Sequence, residues 1–347
     1  MNHPDLKTAY HLLGSILSQT QNEKQLKSLF LSNEVNWEEF IKIASSELML
    51  PATYIEIKNK QLLKYTPEDL NSYLEEITNI NRNRNRKLLS EAKEISLAFD
   101  ENQIDHIFIK GIALIAINPL EDIGFRMIGD IDILVDKAKI DHAFQLLISK
   151  GYNDLRPFNY EIKDYRHYPR QISKEKFGAV ELHRNLLTTK TNNLLDASEI
   201  LTNKRYYSGL PVPNQKDAIK IAIYTTQIND KCQSIPNVKF KSTYDSIILG
   251  LNTQSKLFHD LKGNTFFKLF TSLSSIYFEE LKPLVNYKDK PIKYIIFKFF
   301  SKRPQSKRIL ISSLTKFQAV NERLHLFTTN KSYRKHILLN KILNNKP

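Results

Sequence analysis

The chain reads as an α+β protein, a small mixed-sheet core set between an N-terminal and a C-terminal helical region. Three observations predict this. Apolar residues recur at helical spacing through residues 5–100, and no glycine interrupts residues 15–110. Three short runs of β-formers, at 104–109, 130–135 and 177–183, then alternate with helical stretches. Beyond Asn185 the helical spacing returns. The expected boundaries are 1–100, 101–190 and 191–347.

In the first region Leu6, Tyr10, Leu13 and Ile16 make one apolar stripe, and Phe40, Ile43 and Ala44 make another behind the cap Asn36. After Pro67 a long helix is expected over 68–99, with Leu70, Tyr73, Leu74 and Ile77, and later Leu88, Ala92, Ile95 and Ala98, as its apolar residues. Its middle, residues 81–87, is polar all round and carries three arginines. It reads as a solvated turn, with an anion-facing patch as the alternative. In the core, a strand over 104–109 ends at Lys110-Gly111 and a helix over 112–116 follows. After a loop comes the strand bearing Asp130 and Asp132. A helix opened by Asp136 or Lys137, with Ile140, Ala143, Phe144, Leu147 and Ile148 inward, closes at Gly151. The last strand ends in Val180-Glu181-Leu182-His183. Helices are then expected over 217–227, 242–251 and 264–281, entered past Pro211 and Pro213 and followed by stretches that Pro283, Pro291 and Pro304 segment.

At 347 residues, with 41% hydrophobic and 25% charged, the chain has the composition of a globular protein and is long enough for two cores. No apolar run reaches the length of a bilayer span, and the N-terminus lacks the basic-then-apolar pattern of a secretory signal. The single cysteine, Cys232, excludes an intrachain disulfide and a Cys-based zinc cluster. A cytoplasmic location is expected. The net charge of +14 is lopsided: from Leu281 onward there are 16 Lys/Arg against two acids, Asp289 and Glu322, and the rest of the chain balances to zero. This basic end reads first as a solvated helical face, and otherwise as a site for an anionic partner such as nucleic acid or a membrane surface.

Asp130 and Asp132 lie one residue apart in a run of β-formers, so on a strand their side chains share a face. Two carboxylates held side by side repel unless a cation sits between them, which marks a candidate divalent-metal site. Glu181 offers a third carboxylate on another strand, with His183 on its face. Gly111, between strand and helix, lets backbone approach a phosphate, beside the cation of Lys110. Arg126 offers a guanidinium that can grip a phosphate bidentately. If the strands are neighbours, the three acids can hold one or two metal ions, as in-line phosphoryl transfer requires.

These residues carry a resemblance. Ile109-Lys110-Gly111, then Arg126 through Val135 with Asp130 and Asp132, then Glu181-Leu182-His183, resembles the signature of the uncharacterised nucleotidyltransferase family within the DNA polymerase β-like superfamily. The similarity extends over roughly residues 30–280 and includes the late Tyr244-Asp245. The chain differs from most of the superfamily in having Lys110-Gly111 where Gly-Ser is usual, and Glu181 where an aspartate is usual. The resemblance implies a nucleotidyltransferase-like core in which Asp130, Asp132 and Glu181 bind Mg²⁺ (or Mn²⁺). It implies triphosphate contact by Lys110, Gly111 and Arg126, with His183 beside them. The implied reaction moves a nucleoside monophosphate from an NTP such as ATP to an acceptor (a protein, a sugar, a small molecule or an RNA end) and releases pyrophosphate. The alternative is a non-catalytic nucleotide- or nucleic-acid-binding module that keeps the fold.

Other residues read structurally. The pairs His106/His142 and His325/His336 lack metal-ligand spacing. Cys232 has no identifiable partner for a nucleophile's role. The stripe Tyr294, Phe297, Phe299 and Phe300 reads as a core or docking face.

Overall fold

The computed structural model describes residues 8–32, 34–156, 158–160, 165–286, 290–301 and 303–339; Leu6, Asp289, Lys341 and Lys346 lie outside them. Four helices come first: α1 (Ala9–Leu17), α2 (Glu23–Leu31), α3 (Trp37–Ser46) and α4 (Leu50–Asn59). The Thr8 and Asn36 side chains cap α1 and α3 by accepting from the His11 and Glu39 N–H groups. Helix α5 (Glu68–Glu101) follows Pro67, with Glu68 and Asp69 in the first turn where the helix dipole favours acids. Its 34 residues span about 50 Å.

The core contains β1 (His106–Phe108), α6 (Lys110–Ile117), β2 (Ile131–Val135), α7 (Ile140–Ser149), β3 (Asp154–Arg156), β4 (Arg170–Ile172) and β5 (Val180–His183). The sheet order is β1-β2-β5-β4-β3. Strands β2 and β5 run parallel and the other neighbours antiparallel, so the sheet is mixed, as expected. Each expected strand is present but shorter than its apolar run. Strands β3 and β4 were not expected: at three residues each, with Arg156, Arg170 and Gln171, they lack the apolar alternation that marks a strand.

The C-terminal part holds α8 (Ala197–Thr202), the hairpin β6 (Arg205–Tyr207) and β7 (Leu210–Val212), then α9 (Gln215–Tyr224), which runs on into a π-helical turn, Thr225–Asn229. Next come α10 (Phe240–Ile248), α11 (Lys256–Leu261), α12 (Thr265–Ser274), α13 (Ile292–Ser301), α14 (Pro304–Thr329) and α15 (Lys331–Ile337). The hairpin, also not expected, turns on Ser208 and Gly209, both at positive φ (53° and 80°), the geometry of a tight two-residue turn. The helix expected over 264–281 ends at Ser274, and a 3₁₀ turn, Glu279–Leu284, holds Pro283. One buried apolar cluster runs from Ala9 on α1 through the sheet to Phe297 on α13. No helix among the described residues is long and apolar enough to cross a membrane.

Helix α5 is the spine that places the acid-bearing strands. The expectation of a solvated turn at 81–87 is corrected: Asn81 and Asn85 are buried. Their amide nitrogens donate to the carbonyls of Gly124 and Arg126 (Asn81) and of Ile123 and Arg126 (Asn85). Arg82 grips Asp122 with two parallel hydrogen bonds of 2.9 and 2.7 Å. Arg84 donates to the Ile128 carbonyl and stacks on Phe177. Two turns on, Glu91 accepts from the N–H groups of Phe177 and Gly178. A polar helix face thus satisfies the backbone of both loops that feed β2 and β5. Gly178 packs closely there: a Cβ would lie 2.8 Å from Ile131 Cδ1 and 2.9 Å from Leu88 Cδ2, so those side chains would have to shift.

His106, on β1, is buried beside Phe99 and Phe108. Its Nδ1–H donates to the Ile104 carbonyl, so Nε2 accepts from the Ser96 hydroxyl. Burial pushes its pKa below the usual 6.5, so the folded state holds the ring neutral. Its contribution to stability is complete above pH 6.5 and is lost as pH falls toward the folded-state pKa, by up to about 1.4 kcal/mol per pH unit. Urea unfolding between pH 7.5 and 5 should show that loss, with a shallower slope in His106→Gln. An identical slope in the variant would assign the acid lability to other groups.

Candidate active site

Register brings the acids together. In the parallel pair β2–β5, Asp132 lies directly opposite Glu181, with Ile131 opposite Val180 and Leu134 opposite His183. Asp130 sits at a bend one residue before β2, not within the strand as expected, yet still faces the same cleft. Asp132 is 3% exposed and accepts at one oxygen from Lys110 Nζ (2.6 Å) and His183 Nε2 (2.7 Å). Asp130 accepts from Arg170 Nη2 at 2.5 Å, and Arg170 Nε reaches Glu181 at 2.9 Å. Arg170 on β4 therefore bridges the two outer carboxylates. The unexpected strand is what delivers it.

The charges set the proton affinities. Burial would raise Asp132, but Lys110 and His183 outweigh it and hold the carboxyl well below the usual range. Burial would likewise lower Lys110, but Asp132 outweighs it and holds the ammonium above its usual range. Burial, with the Asp132 and Glu181 charges, pushes Asp130 up to about 6. His183 is pushed down by burial and stays neutral. With its Nε2–H turned to Asp132, His183 Nδ1 is a buried acceptor that no described group satisfies.

The turn between β1 and α6 departs from the simple expectation that glycine supplies the unusual backbone. Lys110 itself takes the left-handed conformation (φ 54°), which strains a residue with a Cβ and throws its ammonium across to Asp132. Gly111 is needed for space instead: a Cβ there would lie 2.9 Å from Ile128 Cγ1.

A cleft of about 250 Å³ opens beside these residues. Lys110, Gly111, Arg126, Gly129, Asp130 and Asp132 form one wall. Thr225 and Asn229 from the π-helical turn and Asp230 just after it, with Lys241, Ser242 and Asp245 from α10, form the other. A single π turn within a helix re-aims side chains and recurs at functional sites. Arg126 lines the cleft, but its guanidinium is turned to Asp245: Nε to Oδ1 at 2.8 Å and Nη2 to Oδ2 at 2.7 Å, with Nη1 donating to the Met127 carbonyl at 3.0 Å. Lys241 forms no hydrogen bond within the described residues. Burial, then the nearby Arg126, lowers its pKa to about 8. Glu181 and His183 stand behind Asp132, outside the cleft's lining.

The donor set suits a divalent cation. Asp132, Glu181 and His183 each offer a ligand atom within 4.8 Å of the others. Asp130, Asp132 and Glu181 against Lys110 and Arg170 leave one negative charge in excess. Lys241 and Arg166 on the same cleft offset that excess, and the orphaned Nδ1 leaves one acceptor of the group open.

The sequence model of the uncharacterised nucleotidyltransferases matches residues 33–222, more than half of the chain. The chain belongs to the uncharacterised nucleotidyltransferase family. The match takes in every residue on the core wall of the cleft, together with Ala218, Ile221 and Ala222 of α9, and stops before Thr225, so the π-helical turn and α10 lie outside it. No curated protein and no solved structure matches the chain.

Sequence reasoning missed Arg170, Lys241 and Asp230. Arg170 sits on a strand with no apolar signal. Lys241 and Asp230 belong to a helical region where a single charge looks like any solvated one. Only Asp245 carried a hint, as part of the late Tyr244-Asp245 expected from the sequence, which lies beyond the matched residues. Cys232, by contrast, is buried with its thiol pushed up to about 12, which suits no nucleophile.

Proposed function

We propose that this chain is a metal-dependent nucleotidyltransferase that moves a nucleoside monophosphate from an NTP to an acceptor and releases pyrophosphate. The carrying observation is Asp132 set opposite Glu181 on adjacent parallel strands, with Asp130 at the cleft. Residues 101–190 would be the catalytic unit, roofed by α9 and α10. Asp130, Asp132 and Glu181 would hold Mg²⁺ or Mn²⁺, with His183 orienting Asp132. Bound there, the ion would neutralise phosphate charge and lower the pKa of the attacking group.

The chain's own groups would do the rest. Lys110 is poised at the helix entry to meet triphosphate oxygens while keeping Asp132 ionised. The acceptor oxygen would attack the α-phosphorus, the bond to the β-phosphate bridge would break, and pyrophosphate would leave with the electron pair. The acceptor's proton would pass to a carboxylate of the cluster. Incubation with Mg²⁺ and each labelled NTP, followed for pyrophosphate release and self-labelling, tests this; release that is unchanged in Asp130→Asn and Asp132→Asn would refute it.

A second reading, a nucleotide-binding module without turnover, draws on the Arg170 bridge between Asp130 and Glu181, which already pairs two of the acids. Under it, nucleotide binds and no pyrophosphate is released with any acceptor.

Lys241 supplies a further expectation. As a cleft cation without a hydrogen-bond partner among the described residues, it suits the leaving phosphates. Lys241→Met should weaken NTP binding about tenfold or more, read by fluorescent-nucleotide titration. With a pKa near 8 the group is charged below that pH, so wild-type affinity should fall as pH rises through 8. Lys241→Arg should flatten that fall, and an unchanged pH profile would separate Lys241 from the phosphates.

A further inference from the structure

Helix α14 buries none of its described side chains along 26 residues. One side is tied to the body: Glu322 accepts from Lys231 and from Gln318, and Ile311 packs against the apolar core. At about 100° per residue, Ile309, Phe317, Val320, Leu324 and Phe327 all fall on the side opposite Glu322, within an arc of about 80°. Each is between 40% and 68% exposed. Helix α13 repeats the pattern, with Tyr294 and Phe297 inward and Ile292, Ile295, Ile296 and Phe299 exposed. The expected aromatic stripe is thus split between core and solvent.

Large apolar stripes facing water mark a surface that is covered in use. Here they lie in the part of the chain that carries 16 basic residues against two acids, one of which, Glu322, is already paired with Lys231. A second copy would bring two such positive blocks face to face. A nucleic acid would satisfy the lysines and arginines but gain little from isoleucine, valine and leucine, which neither stack on bases nor donate hydrogen bonds. An anionic bilayer surface meets both demands, taking apolar side chains at the acyl boundary and bases at the headgroups.

We propose that the outer faces of α13 and α14 dock this protein on an anionic lipid bilayer, lying on it and not through it. The active-site cleft plays no part in this contact, so the proposal stands apart from the nucleotidyl-transfer reading.

The test is sedimentation of the full chain with vesicles of phosphatidylcholine alone or with about one-third phosphatidylglycerol. The protein should sediment with the anionic vesicles only. Binding should weaken as salt rises from about 0.1 M to about 1 M, where the screening length falls from about 10 to about 3 Å. The double variant F317D/L324D should lose partitioning at least about tenfold. Because both side chains are exposed in the free protein, its Tm should stay at the wild-type value, and the milder F317S/L324S repeats the test. Equal sedimentation of wild type and both variants, or no preference for anionic vesicles, would overturn the proposal. So would a dimer that the double variant dissolves without any lipid binding.

Discussion

Asp132→Asn is expected to lower pyrophosphate release by at least about 10³-fold while leaving the fold intact. The magnitude follows from the position of this carboxylate at the junction of every charge in the site. It accepts from Lys110 and His183, lies opposite Glu181, and lines the cleft with Asp130. Asparagine keeps the shape but removes the charge that fixes the Lys110 ammonium and that a divalent ion would need. With its oxygen where Oδ1 sits, the amide can still accept from both Lys110 and His183, so the loss falls on the charge and not on these hydrogen bonds. The measurement pairs a pyrophosphate assay under saturating Mg²⁺ and NTP with thermal unfolding. Glu181→Gln should be less damaging than Asp132→Asn, because Glu181 stands outside the cleft lining and Arg170 still has Asp130. Equal activity of Asp132→Asn and wild type, with equal stability, would remove Asp132 from the chemistry.

What could be seen in the sequence follows from how local the signal is. The two strands that carry Asp132 and Glu181 are built on Ile, Leu and Val and are largely buried, so composition alone exposes them. The two-residue spacing of Asp130 and Asp132 and of Glu181 and His183 fixes which side chains can converge once the strands are neighbours. Pairing across 49 residues, Asp132 to Glu181, has no local signature. The same limit hid Arg170, on a three-residue strand with no alternation. Asn81 and Asn85 were misplaced because a helix face is judged by its hydrophobicity. Their burial is stabilised by carbonyls of the 123–126 loop, which the helix itself does not encode. Lys241 and Asp245 sit on a helix some hundred residues from the acids, and nothing near them in the chain announces the cleft they close.

The Arg126–Asp245 pair gives the second large effect, this time on stability. Both side chains are nearly dry, with 8% and 5% of their surface exposed, and they are joined by two parallel hydrogen bonds across the cleft between the loop before β2 and α10. Removing one partner leaves a buried charge without the hydrogen-bonded ion that matched it, so Arg126→Ala should cost about 3–5 kcal/mol, seen as a fall on the order of 10 °C in Tm. The pair need not stabilise the fold relative to apolar residues of similar size, since the desolvation of both ions offsets much of their attraction. R126M/D245L should therefore recover most of the stability lost by either single change. The double variant then separates architecture from chemistry. Recovered stability with activity still lost would keep Arg126 among the groups that meet the triphosphate, as its place on the cleft wall suggests. Recovered stability together with recovered activity would make the pair a strut between the catalytic unit and its helical roof. A double variant as unstable as Arg126→Ala would show instead that the methylene and guanidinium packing around Met127 and α10, not the unpaired charge, sets the cost.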